Sequence, residues 1–344
     1  MRIGVLTGGG DCPGLNAVIR AVVRKAINDM GDTVVGFFDA WDGVLEKRSM
    51  ELNVAALAGT LPRGGTILGT RRGSPYDYPD GPARVQKNLQ EMGIDALIVI
   101  GGNGSLWVAS KLHADIGIPV VGVPKTIDND IMGTDVCFGF NTAVQIATDA
   151  IDRLHTTAES HDRVMVVEVM GRDTGWIATH AGIAGGATAI LIPERPFDIA
   201  DIADAVRRKH NRGRYASIVV VAEGAMPKPR TMDAPVYEKD PFGRPRLGGI
   251  SSEVARALEK QTGYETRVVQ IGHIQRGGTP NAFDRVLSTR LGIAAVTALH
   301  DGATHCMIAL RNDDMVRVPL ENVVGKIRHV DVSLYDDVAT VFFG

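Results

Sequence analysis

Long apolar runs are missing from this chain. The strongest, such as Ile218–Ala222, are a few residues long, against the ~20 that a membrane-crossing helix needs. No membrane partner is expected. Cysteine is scarce: Cys12, Cys137 and Cys306 are odd in number, widely separated and without paired spacing. Neither a disulfide framework nor a zinc site fits that pattern, so a reducing, cytoplasmic setting is expected. The opening MRIGVLTGGG lacks the apolar stretch and cleavage site of a secretory signal. An excess of one charge is missing too, with 37 Lys and Arg against 40 Asp and Glu. A protein that coats nucleic acid is therefore not expected, and any phosphate recognition is local. No tandem repeat, GxxxxGK[ST] loop or GxGxxG fingerprint occurs.

Glycine is plentiful, at 40 of 344 residues, and clustered rather than periodic. The clusters punctuate a rhythm of apolar strand, glycine turn and helix. Arg2–Leu6 precedes GGGDCPG (8–14), after which Leu15, Val18, Ile19, Val22 and Val23 recur at helical spacing through Met30. The order returns at Ile94–Ile100, GGNGS (101–105) and a helical Leu106–His113, followed by a strand at Ile118–Val123. A second block starts near Phe140, with a helix from Asn141 and strand-like runs at 164–170, 189–192, 217–222 and 268–271. Met226–Arg246 reads as a surface excursion. Such alternation predicts parallel sheets covered by helices on both faces. At 100–200 residues per domain, about two domains are expected.

Three glycine turns, at 8–10, 64–65 and 101–104, follow candidate strands. Glycine lets a backbone approach a phosphate, and a following helix adds a favourable dipole. PKTIDND (124–130) is the strongest segment. In an extended chain Asp128 and Asp130 share one side, so one can act as a base while the other helps to hold a metal. An Asx turn is the equally good structural reading. Arg72, Arg163, Arg172, Arg267 and Arg276 sit at strand ends or glycine turns, where guanidinium forks match phosphate oxygens. Nine steps of ~3.3 Å put Arg163 and Arg172 roughly 25–30 Å apart along a strand. If both bind one small substrate, one of them serves a neighbouring chain, and self-association with shared sites is expected.

Together, GGGDCPGLNAVIR, GGTILGTRR, GGNGSL, VPKTIDND, ESHDRVMVVEVMGR, VVVAEG and GHIQRGGTP resemble the 6-phosphofructokinases, in that family's order and spacing. The likeness covers nearly the whole chain and is nearest to actinobacterial members, with Lys125 and the closing VFFG. It implies an α/β protein of two Rossmann-like three-layer domains with mostly parallel sheets and an active site in the cleft between them. A larger donor domain of 1–139 with about 253–304 is expected. A smaller fructose 6-phosphate domain of 140–252 with about 305–330 and a tail of 331–344 complete the chain. By resemblance Asp128 is the base on the 1-hydroxyl of fructose 6-phosphate, with Thr126 and Asp130 beside it. Arg172 and Arg72 neutralise the phosphoryl group in transfer. Gly10, Gly102, Gly104 and Ser105 serve the ATP donor. Glu223, His273 and Arg276 hold the sugar phosphate, with Met170 and Gly171 beside it. Arg163 and Arg267 come from a partner subunit of a homodimer or homotetramer. Mg²⁺ is the implied metal.

Two departures stand out. Asn103 takes the place of an acidic Mg²⁺ ligand, leaving the metal to Asp130, water and the donor. Gly104 suits ATP, whereas Lys125 resembles the pyrophosphate-using branch. Trp41 stands where relatives place an aromatic near adenine, though a packed tryptophan reads as well. Arg20, Arg24, Arg212 and Arg214 resemble an effector site, but His155 and Thr188 replace an arginine and a glutamate of that pattern. The expected reaction is transfer from ATP to fructose 6-phosphate. The alternatives are a pyrophosphate-dependent enzyme or a weakly active or silent sugar-phosphate sensor. A lipid or NAD kinase fits neither PKTIDND nor GHIQRGG.

Overall fold

The computed structural model describes residues 1–213, 216–233, 238 and 247–342. Arg214 and most of 234–246 lie outside the described residues. The strands are β1 (Arg2–Gly8), β2 (Thr33–Phe37), β3 (Ser49–Leu52), β4 (Ala96–Gly101), β5 (Val120–Thr126), β6 (Phe138–Gly139), β7 (Val164–Val169), β8 (Ala189–Leu191), β9 (Ser217–Ala222), β10 (Thr266–Gln270), β11 (Cys306–Arg311) and β12 (Asp314–Pro319). The α-helices are α1 (Leu15–Arg24), α2 (Trp41–Glu46), α3 (Gly81–Glu91), α4 (Asn103–Ile116), α5 (Phe140–His161), α6 (Trp176–Ala184), α7 (Ile199–Asn211), α8 (Ile250–Thr262) and α9 (Ala282–His300).

The chain forms two units, one of residues 1–142 and 276–327, the other of 143–275 and 328–344. The first holds the larger sheet, in the order β12-β11-β5-β4-β1-β2-β3, with β6 beside β5. Its central pairs are parallel, while β3 and β12 run antiparallel at the edges. Every residue of β4 is buried, as a strand covered on both faces requires. Leu6, Leu97 and Val99 share one core with Trp41, Val85 and Leu106 of α2, α3 and α4. Val5, Ile98 and Ile100 alternate to the other face and are fully buried. The second unit has a wholly parallel sheet, β10-β7-β9-β8.

The partition differs from the expected one in two places. Residues 253–275 were expected in the first unit, but β10 pairs with β7 and belongs to the second sheet. Residues 305–327 were expected in the second, but β11 extends the first sheet through Cys306↔Val121 and Met307↔Gly122. The β11–β12 hairpin was not among the expected strands. The first helix is also shorter than its apolar spacing suggests, because Lys25–Asp29 continues it as a π-helical turn. Trp41 is 2% exposed and part of the core, as the packing reading has it.

A pH-sensitive contact lies in the first unit. The ring of His305 stacks on His113 at 4.3 Å, and its Nε2 shares a hydrogen bond with Ser110 Oγ. Burial, then the neighbouring His113, holds the His305 pKa below 6.5. His180 and His210 are lowered by burial as well. A folded-state pKa below the unfolded value means that the unfolded chain takes up the proton first. Stability should therefore fall as pH drops below about 6.5, and His305→Gln should make the thermal midpoint fall less between about pH 7 and pH 5.

Candidate active site

In the first unit, the carboxyl ends of three neighbouring parallel strands carry the expected donor residues. That edge is where open α/β sheets bind ligands. β1 ends in Gly8 and β4 in Gly101. Ser105, on the first turn of α4, packs against both. A Cβ on Gly8 would lie 2.4 Å from Ser105 Oγ, and one on Gly101 2.4 Å from Ser105 Cβ. The close packing of the helix start on the two strand ends thus needs glycine at both positions. Gly102 precedes the helix, Asn103 opens it and Gly104 follows. A Cβ on Gly104 would meet nothing within 4 Å, so the second position of α4 faces open space.

The Gly8–Gly10 turn is held by the segment after the second glycine pair. Thr70 Oγ1 donates to the Gly9 carbonyl (2.6 Å), and Gly9 N–H donates to the Arg71 carbonyl (3.4 Å). Arg72, the next residue, is exposed. Lys125 approaches the same turn from β5, its Nζ donating to the Gly10 carbonyl at 2.5 Å. The lysine is 3% exposed, and burial pulls its pKa down. Arg276 comes close as well: its Nη1 donates to the Asp11 carbonyl (3.3 Å) and would lie 2.6 Å from a Cβ on Gly10.

β5 ends at Thr126, and the acidic pair follows in a turn rather than in extended chain. Sharing one side of a strand is therefore not what relates Asp128 to Asp130. Asn129 between them has φ of 55°, a conformation asparagine tolerates, and its Oδ1 accepts from Cys137 N–H (2.9 Å). Thr126 Oγ1 accepts from Asp128 N–H (3.0 Å), and Asp128 is 6% exposed. Asp130 is half-buried and accepts from Asn103 Nδ2 (2.9 Å). The other amide atom, Asn103 Oδ1, is buried with no hydrogen-bond partner among the described residues. No cluster of three His, Cys, Asp or Glu suited to a metal occurs among them.

The second unit brings another set to the carboxyl edge of its sheet: Met170, Gly171 and Arg172 after β7, Glu223 after β9, and His273 after β10. Arg172 has φ of 52°, the left-handed region, which costs a residue with a side chain roughly 1–3 kcal/mol. Two neighbours hold it there. Its N–H donates to Glu223 Oε1 (3.1 Å), and Gly224 packs so closely that a Cβ there would lie 2.0 Å from the Arg172 carbonyl oxygen. Met170 N–H donates to Gln275 Oε1 (3.4 Å), whose side-chain nitrogen donates to the Gly272 carbonyl (3.1 Å). Gln275 is fully buried and links the turns after β7 and β10. Nothing in its sequence position signals this role. Glu194, which holds Gly175 N–H, is equally silent in the sequence.

Arg163 and Arg267 do not join this edge. They lie at the amino ends of β7 and β10, both ion-paired to Glu265, with Arg163 Nε at 2.8 Å. Six residues of β7 separate Arg163 from the Arg172 turn. Of the effector-like residues, Arg20 and Arg24 belong to the first unit and Arg212 to the second. His155 Nε2 is engaged with the Gly185 carbonyl (2.6 Å), and Thr188 Oγ1 accepts from Lys209 Nζ (3.1 Å).

Comparison with known proteins places the chain in a family. Residues 2–299 match the family described as phosphofructokinase. A Streptomyces coelicolor protein named pyrophosphate–fructose 6-phosphate 1-phosphotransferase is 54% identical over 344 residues, covering 100% of both chains. A second protein of that organism, named ATP-dependent 6-phosphofructokinase 3, is 53% identical over 341 residues, 99% of this chain and 100% of the relative. The crystal structure of Pichia pastoris phosphofructokinase in the T-state superposes with a TM-score of 0.84 at 33% identity, over 99% of this chain and 36% of that one. With more than half of its residues identical to full-length relatives and the family matched over 2–299, this chain belongs to the phosphofructokinase family.

Proposed function

We propose that this chain transfers the γ-phosphoryl group of ATP to the 1-hydroxyl of fructose 6-phosphate, giving fructose 1,6-bisphosphate and ADP. Asp128 takes the hydroxyl proton as the oxygen attacks phosphorus, and ADP leaves. Phosphoryl transfer asks for positioning and charge stabilisation more than covalent chemistry. Arg72 and Arg172 supply positive charge to the group in transfer. Gly10, Gly102, Gly104 and Ser105 present backbone N–H groups to the donor phosphates at a strand end and a helix start. Thr126, Asp128 and Asp130 face the acceptor, with Met170, Gly171, Glu223, His273 and Arg276 on the sugar phosphate. Arg163 and Arg267, at the far edge of their sheet, serve the site of a partner subunit in a homodimer or homotetramer.

The observation that carries the choice of donor is the open space at Gly104. A nucleotide has an α-phosphate and a nucleoside to accommodate, and a side chain on the second residue of α4 would stand in the way. The second reading, pyrophosphate as donor, is favoured by Lys125: its buried ammonium on the Gly10 carbonyl adds a cation at the same turn. The two S. coelicolor relatives are named for different donors, at nearly equal identity.

The residues fit Mg²⁺ as a lightly held ion. Asp130 offers one carboxylate and Asn103 one buried carbonyl oxygen, and Mg²⁺ commonly takes one or two protein ligands beside water and substrate phosphates. When bound, it would neutralise phosphate charge. Asn103 keeps Asp130 in place by hydrogen bond where a carboxylate would need a cation. Two carboxylates ~4 Å apart repel by roughly 4 kcal/mol at an effective dielectric constant of 20.

Three outcomes are expected. Steady-state assays with each donor should show turnover with ATP, and Gly104→Asp should shift preference toward pyrophosphate; turnover with pyrophosphate alone in the native chain would reverse the donor. Asp128→Asn should lower kcat by about 10²–10⁴-fold with the fold intact, and binding of fructose 6-phosphate without turnover in the native chain would instead indicate a sensor. A Mg²⁺ titration of Asn103→Asp should reach half-maximal activity at a lower concentration than the native chain, and an unchanged curve removes position 103 from metal binding.

A further inference from the structure

The loop that carries Arg172 is closed by a residue to which the proposed reaction gives no task. Glu194 lies beyond β8, and its side chain is 6% exposed. Its carboxylate accepts from Gly175 N–H through both oxygens, at 3.1 and 3.0 Å, and from Val330 N–H through Oε1 at 3.0 Å. One buried anion thereby ties the end of the 171–175 loop to a segment more than 150 residues away in sequence. The tie is reinforced at the next residue. Trp176 Nε1 donates to the Arg328 carbonyl (2.9 Å), and the Arg328 guanidinium lies over the indole ring, 4.1 Å from its centre.

The segment is fastened further along as well. Tyr335 OH donates to the Ile190 carbonyl (2.6 Å), and Arg195 pairs with Asp336 at 2.5 Å. Residues 328–336 thus form a strap across the β8 end and the start of α6. The loop that it closes is the one whose Arg172 sits in the left-handed region. Such a conformation persists only where surroundings over-determine it. Glu223 and Gly224 constrain the Arg172 backbone from one side, and Glu194 constrains the loop end from the other.

We propose that Glu194 is a positioning residue for Arg172, clamping the 171–175 loop to the C-terminal strap so that the guanidinium keeps its place during phosphoryl transfer. The inference rests on the role proposed for Arg172. Because a misplacement of ~1 Å can cost 10²-fold in rate, loosening the clamp should act on kcat rather than on donor binding.

The test is a double-mutant cycle on kcat, well below the melting temperature, in the full chain. Glu194→Ala should lower kcat about tenfold or more, leaving the KM for the donor within about twofold. Glu194→Gln, which keeps an oxygen able to accept both N–H groups, should recover most of the rate. In an Arg172→Ala background, adding Glu194→Ala should cost nothing further, since a residue acting through Arg172 has nothing left to position. Losses that multiply, or an unchanged kcat in Glu194→Ala, overturn the proposal. An unchanged kcat in Arg172→Ala alone is a different failure: it removes the role of Arg172, and this inference with it. If Glu194→Ala does not fold, Tyr335→Phe loosens the strap at its far end. It should lower kcat in the native background and not in the Arg172→Ala one, and losses that multiply there overturn the proposal equally.

Discussion

Ser105 reaches the ends of β1 and β4 only because Gly8 and Gly101 have no side chains. The rest of the donor side follows from that one close approach. It draws the first turn of α4 onto the sheet edge, so that the unpaired N–H groups of a helix start stand beside the Gly8–Gly10 turn. The same placement leaves Gly104 facing open space and brings Asn103 within hydrogen-bond distance of Asp130. A methyl group on either strand end would push the helix away, with consequences for each of these groups at once. Overpacking of this kind typically costs about 1–3 kcal/mol, but the larger loss would be the alignment of the helix start.

Charge is arranged economically around this edge. Lys125 is buried against a backbone carbonyl, and desolvation weakens its hold on a proton. Asn103 meets Asp130 with an amide, a charge-assisted hydrogen bond of the class worth about 1.5–3 kcal/mol. A carboxylate at 103 would bring repulsion unless a cation intervened. The clasp on Asp130 is therefore neutral on its Asn103 side. In the second unit strain plays the comparable part, with the left-handed Arg172 secured by an acceptor on Glu223 and by the bare α-carbon of Gly224.

The strands and the glycine turns that close them were legible in the residues because both are local. Short apolar runs rich in β-branched residues and punctuated by turns read as buried parallel strands, and β1, β4, β5, β7, β8, β9 and β10 lie close to where those runs stand. The β11–β12 hairpin was not legible. Charged residues interrupt β12, and β11 gains its place by pairing with β5, a partner about 185 positions away. The route of the chain between the two units was hidden for the same reason. The turn at Asp128 was half legible: the segment does turn, with Thr126 Oγ1 accepting from Asp128 N–H, and the extended reading fails because Asn129 adopts a left-handed conformation. Gln275 and Glu194 were invisible, since a buried polar residue announces itself only through the N–H groups that it meets.

By itself the sequence determined the α/β class, the glycine turns after β1 and β4 (the pair at 64–65, expected after a strand as well, follows none), the composition of the acidic and basic motifs and the family to which they point. These are short-range properties, set by side-chain size, backbone freedom and the period of apolar residues. Tertiary structure alone decided that Ser105 wedges between two strand ends and that Lys125 lies on Gly10. It also decided that a C-terminal strap closes the Arg172 loop through a buried carboxylate. Each of these joins residues far apart in the chain, and such contacts depend on which strands become neighbours, a choice made by the packing of the whole unit rather than by any one segment.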